Sequence, residues 1–128
     1  MGFHPDSDQF LLGEAEVDEV LQPIADFLKA YPDTELMLIG TTAGDKATDY
    51  SYELSQKRAE AVKNRLVSLG CDASRLTAIG LSCNDPWHVY GAGTSGPLAS
   101  SNRKVVLLDK ASTSADEVLA IYRENRKP

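Results

Sequence analysis

The segment IGTTAGDKATDYSYELSQKRAEAVKNRL (residues 39–66) decides the fold. An apolar strand end gives way to a polar loop, and Leu54, Val62 and Leu66 then recur at the spacing of one helix face. Arg58 falls on that same stripe. A guanidinium stays charged at any physiological pH and holds five donors in a fixed fork. Burying it unpaired is costly, so such a side chain usually meets a carboxylate, the protein's own or a ligand's. Two readings follow. Arg58 is either a snorkelling arginine at the stripe's edge, paired with Glu60 or a neighbouring loop, as helical charges are mostly solvated, or part of an anion pocket helped by the nearby helix N-terminus.

Outward from this segment, ELMLIG (35–40) is short, apolar and bounded by turn residues, which predicts a central strand covered on both faces. Residues 14–31 carry Val17, Val20, Leu21, Ile24, Phe27 and Leu28 at helical spacing, and Pro23 predicts a kink there or a helix better formed beyond it. The loop TTAGDKATDY offers Asp49 or Ser51 as N-cap for a helix over 52–69, which Gly70 closes. RLTAIGLS (75–82) reads as a second strand, CNDPWHVYGAGTSGPLASS (83–101) as a long loop and RKVVLLD (103–109) as the last strand. A capped helix follows over about 113–126, with Val118, Leu119 and Tyr122 on its apolar face, and Phe3 reads as an opening strand residue. This order predicts one α/β domain over residues 1–128 with helices packed on a sheet.

The composition, 42% hydrophobic and 25% charged over 128 residues, is that of a globular domain. A net charge of −6 and a pI near 4.8 argue against nucleic acid, which needs a basic face to displace counterions. No apolar run reaches the roughly 20 residues that span a bilayer. MGFHPDSDQF has neither the basic start nor the apolar middle of a signal peptide, so any targeting segment or membrane anchor is expected outside this sequence. Cys71 and Cys83 flank a strand, form no metal pattern and are expected as free, partly buried thiols.

The residues carry a resemblance. A strand, then GTTA, then YSYELSQKRAEAVKNRL, a strand ending in GL and finally NRKVVLL is similar to the OmpA-like (OmpA/MotB) peptidoglycan-associated domain, over about residues 3–109. The resemblance implies a two-layer β/α/β/α/β-β sandwich, here with an extra C-terminal helix. It also implies a noncatalytic module of the bacterial cell envelope, outside the cytoplasm, that binds the peptide stem of peptidoglycan. The ligand it implies is the diaminopimelate side-chain terminus, a zwitterion with an amine and a carboxylate on one carbon. Arg58 stands where the family's L-S-x-x-R-A arginine takes the carboxylate, and Ala43 stands where the aspartate of G-x-T-D takes the amine. Thr42 and Tyr50 match the pattern, Ser51 replaces an asparagine, and Asn102, Arg103 and Lys104 stand for N-R-R. Asp45, Asp49 and Glu53 are the candidates for restoring the missing carboxylate. A methyl group accepts nothing, and removing one partner of a buried ion pair costs about 3–5 kcal/mol. Ala43 therefore also motivates a rival expectation, a protein-interaction scaffold that has lost wall binding.

Other motifs carry less. GAGTSG (91–96) matches G-x-G-x-x-G, but a proline and serines follow where a dinucleotide site needs a helix, so it reads as loop. His88 finds no triad or metal partners at a legible spacing and is expected to pack the loop beside Trp87, with Tyr90 nearby. The carboxylates of GEAEVDEV read as a solvated helix face, so neither enzyme, cofactor nor metal is expected. The oligomeric state is not legible.

Overall fold

The computed structural model describes residues 2–44, 46–93 and 97–125, with the side chains of residues 97, 98, 124 and 125 set aside. Helix α1 (Glu14–Ala30) leads to strand β1 (Leu36–Gly40), helix α2 (Asp49–Ser68), strand β2 (Leu76–Gly80), a short helical turn α3 (Pro97–Ser100), strand β3 (Val105–Asp109) and helix α4 (Thr113–Asn125). The sheet order is β2-β1-β3, with β1 parallel to β2 and antiparallel to β3. Every residue of the central strand β1 is buried, as its unbroken apolar run requires. Strand alternation divides its side chains. Leu36 and Leu38 join Val17, Leu21, Leu28, Val62 and Leu66 beneath α1 and α2. Met37 and Ile39 join Ile79, Leu81, Ala115 and Val118 on the opposite face. The C-terminal helix thus covers the second face of the sheet and adds a third layer to the two expected.

Several sequence expectations shift in detail. The opening strand is reduced to two bridges, Gly2 with Lys104 and Phe3 with Phe10. α1 runs through Pro23 without interruption. Pro23 is exposed, so water can serve the carbonyl its missing N–H leaves free. α2 starts one turn earlier than its apolar pattern, because Thr48 is the N-cap rather than Asp49 or Ser51. Its hydroxyl accepts from Ser51 N at 3.1 Å, while Ser51 Oγ accepts from Thr48 N at 2.8 Å, closing a capping box. The expected loop 83–101 contains the turn α3. Cys71 and Cys83 are buried and free.

Two glycines set how deep α2 lies on the sheet. Gly40 and Gly80 are register partners at the ends of β1 and β2. A methyl group at Gly40 would stand 1.8 Å from the carbonyl oxygen of Ser55, and one at Gly80 would stand 2.5 Å from both Gln56 N and Ser55 Oγ. The helix backbone rests directly on strand backbone at this point. Gln56 fastens the contact, its amide donating to Ala78 O and accepting from Gly80 N, both at 2.9 Å. At the far end, Arg65 pairs with Asp18 of α1 at 2.5 Å.

Gly40→Ala is therefore expected to lower stability by about 3 kcal/mol or more, the upper range for overpacking, because its neighbour is backbone rather than a flexible side chain. A urea titration measures this. An unchanged midpoint would mean that α2 can lift away freely.

Candidate functional site

The close seating of α2 delivers Arg58, one turn beyond Ser55, to the C-terminal end of β1. Its side chain is 1% exposed, the largest fully buried side chain among the described residues. Arg58 Nη1 donates to Thr41 O at 2.8 Å, Nε to Ser7 O at 2.8 Å and Nη2 to His4 O at 3.1 Å. The guanidinium carbon also lies 5.6 Å from the Phe3 ring centroid, on the ring face. No carboxylate among the described residues forms an ion pair with it. Of the two pairings expected, Glu60 instead meets Gln56, and the guanidinium goes to carbonyls of neighbouring loops. Among the described residues, three neutral carbonyls satisfy three of its five donors, no carboxylate pairs with its charge, and one hydrogen on each terminal nitrogen has no partner. Burial lowers the Arg58 pKa to about 10, with Arg103 pushing the same way and Asp6, Tyr50 and Asp8 opposing. The group remains a cation at neutral pH.

Arg58 lies at the floor of a cleft of about 550 Å³. Thr42, Ala43, Tyr50, Ser51 and Arg103 line it, so the structure brings together six of the residues singled out in the sequence. Asp49 faces a separate hollow with Glu53, Gln56, Lys57 and Glu60. Asn102 is wholly buried elsewhere, its amide donating to Val89 O at 3.0 Å and accepting from Val89 N at 2.9 Å. It fixes the 83–93 loop rather than facing the cleft. Asp45 lies outside the described residues. Gly44, Lys46 and Thr48 of the loop expected to form the site, residues 41–51, also line it, as does Leu54, whereas sequence reasoning missed Pro5 and Asp6. Long-range contacts of the N-terminal segment, with Arg58 and through Phe3 N donating to Arg103 O at 2.9 Å, bring Pro5 and Asp6 here, and nothing local in the sequence signals them.

A hydrogen-bonded wall supports the cleft. Ser82, at φ +55, shares a hydrogen bond of 2.6 Å with Ser51 Oγ and a longer one of 3.5 Å with Thr42 Oγ1. Its N–H donates to Ser55 Oγ at 3.0 Å, and its carbonyl accepts from Thr42 N at 3.0 Å. Thr41 Oγ1 donates to Asn102 O at 2.6 Å. Thr42 and Ser51 are thereby held in place, and the cleft's charge comes from Arg58, Arg103 and Lys46 against the single described acid, Asp6.

A family model described as the OmpA family matches residues 2–97. The chain belongs to the OmpA family. Within that family it is 31% identical to the peptidoglycan-associated lipoprotein of Pasteurella multocida (strain Pm70) over 94 residues, 73% of this chain and 61% of the relative. The crystal structure of the peptidoglycan-associated lipoprotein from Burkholderia pseudomallei superposes with a TM-score of 0.71 at 28% identity, covering 84% of this chain and 86% of that one. The C-terminal domain of Helicobacter pylori MotB covers 99% of this chain and 96% of that one with a TM-score of 0.67, a likeness of fold alone at 18% identity. The chain spans 37%, 19% and 61% of the length of three curated relatives it matches. Among the described residues, no helix is long and apolar enough to cross a membrane and no group of acidic, histidine or cysteine side chains could hold a metal ion.

The 83–93 loop of this OmpA-family chain packs as its aromatics imply. Trp87 lies against the Met37–Ile79–Val118 cluster, and the buried His88 ring meets Tyr90 edge-on at 4.7 Å. His88 Nδ1 stands 3.8 Å from Asp85 Oδ1, and both side chains are fully buried. Burial pushes the Asp85 carboxyl above the usual range. Lys104 and His88 oppose this, as do the N–H groups of Asp85 and Trp87, which fall short of hydrogen-bond geometry.

Two outcomes follow. Arg58→Lys keeps the charge, but a compact ammonium cannot span carbonyls placed around a planar guanidinium, so it should cost about 2–4 kcal/mol and speed amide exchange in residues 3–10. Unchanged exchange there would show that the guanidinium does not hold the segment. For Asp85 the folded pKa is raised, so folding disfavours its ionised form, and stability should rise as pH falls through the folded value toward the unfolded one. Asp85→Asn should therefore raise the urea midpoint at neutral pH, with the gain fading in acid. Equal gains at both pH values would contradict the account.

Proposed function

We propose that this chain is a noncatalytic, extracytoplasmic binding module of the bacterial cell envelope that takes a carboxylate of the peptidoglycan stem peptide in the Arg58 cleft. The single observation that carries the reading is a buried guanidinium in a cleft whose hydrogen-bond partners, among the described residues, are neutral carbonyls. A ligand carboxylate entering there meets two uncommitted N–H donors, with Arg103 and Lys46 beside them. Charge-assisted hydrogen bonds of this kind are worth about 1.5–3 kcal/mol each. Family membership and the name of the peptidoglycan-associated relatives support the choice of ligand. Thr42, Tyr50 and Ser51 form the walls in this reading, and Asn102 acts only by placing the loop behind Arg103.

One observation favours a second reading. Ala43 presents a methyl group to the cleft where the family resemblance implies an amine acceptor, which is what a scaffold domain without wall binding would show. The two readings part on titration with the stem tripeptide L-Ala-γ-D-Glu-meso-diaminopimelate, followed by amide chemical shifts. Binding should move Thr42, Ala43, Ser51 and Arg58 at millimolar ligand, and Arg103→Gln should weaken it about tenfold. Still signals around Arg58 at that concentration would leave the scaffold reading.

A further inference from the structure

Resting on the carboxylate-binding reading above, we propose that Asp6 supplies the acceptor for the ligand's ammonium group that Ala43 cannot, so that zwitterion recognition is kept with its acid moved to the N-terminal loop. Asp6 is the one carboxylate that lines the Arg58 cleft among the described residues. The other acids named as replacements are placed elsewhere or not described. Asp49 and Glu53 line a separate hollow with Gln56, Lys57 and Glu60, and Glu53 also borders a smaller one beside Asp6, but neither lines the Arg58 cleft; Asp45 lies outside the described residues.

The loop that carries Asp6 is built to hold it there. The Phe3–Phe10 bridge closes residues 4–9, and His4 N donates to Gln9 O at 3.0 Å across its base. Arg58 itself grips the loop on both sides of Asp6, through His4 O and Ser7 O. Asp6 adopts φ +50, a left-handed conformation that non-glycine residues take up at a cost unless the surroundings impose it. The residue that would bind the ligand's carboxylate therefore also fixes the position of the residue that would bind its amine.

The two charges face the same space without joining. Asp6 forms no ion pair with Arg58, yet it is close enough to favour the arginine's charged form. A group bearing a carboxylate and an ammonium on one carbon would complete both halves, turning an open arrangement of opposite charges into a closed one. An amine-free carboxylate would complete only the Arg58 half. Asp6 is exposed, so its loss should act on the ligand rather than on the fold.

The test uses the stem tripeptide named above and the same tripeptide with its diaminopimelate side-chain amine acetylated, titrated by calorimetry. The native protein should prefer the free-amine form. Asp6→Asn is suited to the test, because asparagine also tolerates a left-handed backbone and only the charge is removed. This variant should weaken the free-amine tripeptide about tenfold, leave the acetylated one within about twofold, and so erase the preference. Adding Ala43→Asp to Asp6→Asn should restore it. Equal binding of the two probes by native protein, a preference that survives Asp6→Asn, or a preference erased instead by Asp45→Asn would overturn the assignment of Asp6 while leaving carboxylate binding intact. Binding of neither probe by native protein would overturn both.

Discussion

A buried guanidinium shared among three carbonyls ties together parts of this chain that are far apart in sequence. Arg58 stands on α2, accepts its place from the end of β1 through Thr41 O, and holds the N-terminal loop through His4 O and Ser7 O. Each bond compensates part of the desolvation cost, which for a buried ion is several kcal/mol. None of them cancels the charge. An aspartate in their place would have given a tighter internal pair and a dead pocket. Neutral dipoles instead leave a cation near a cleft with its pKa lowered to about 10, still well above neutrality. The same three contacts therefore serve as a structural joint and leave a charge for a ligand.

That joint depends on where α2 lies. Because Gly40 and Gly80 carry no side chain, helix and strand backbones meet directly at Ser55 and Gln56. Ser55 Oγ then reaches Ser82 N, and Ser82 ties together Thr42 and Ser51. Any residue with a Cβ at position 40 would push the helix outward and carry Arg58 away from Thr41 O. The core can be repacked by many apolar combinations, but this contact distance cannot be recovered by repacking. The geometry of the cleft is thus inherited from two glycines outside it.

Much of this was legible from patterns with a local cause. The stripe of Val62 and Leu66, the apolar run of β1 and the Gly70 stop each follow from periodicity or backbone freedom, and each element formed within a few residues of its expected bounds. The odd position of Arg58 on a buried stripe marked it out, but spacing alone left open both an edge arginine and an anion pocket. What was not legible depended on distant partners. Thr48 became the N-cap because Ser51 could complete a capping box, although Asp49 had equal claim by residue type. Asn102 went to Val89, a neighbour only after the 83–93 loop had folded back. Asp6 entered the cleft because Arg58 draws in the chain on either side of it, and no helical or strand period marks such a contact.

The charge of the whole chain bears on how such a cleft would work. A net charge of −6 sets up a far field that repels an anionic polymer, while Arg58, Arg103 and Lys46 attract it locally. At physiological ionic strength, surface charges are screened over about 8 Å, so the repulsion weakens with distance faster than a partner can use it for steering. Attraction inside the cleft is less screened, because Arg58 is almost out of solvent. Recognition is then short-ranged, and it rewards a group small enough to reach the floor rather than a surface dense in negative charge. A narrow carboxylate on a flexible side chain meets that condition. A sulfated or phosphorylated polymer held at the rim would feel the surface repulsion and gain little from Arg58, so in the proposed reading the depth of the guanidinium, as much as its sign, would select the ligand.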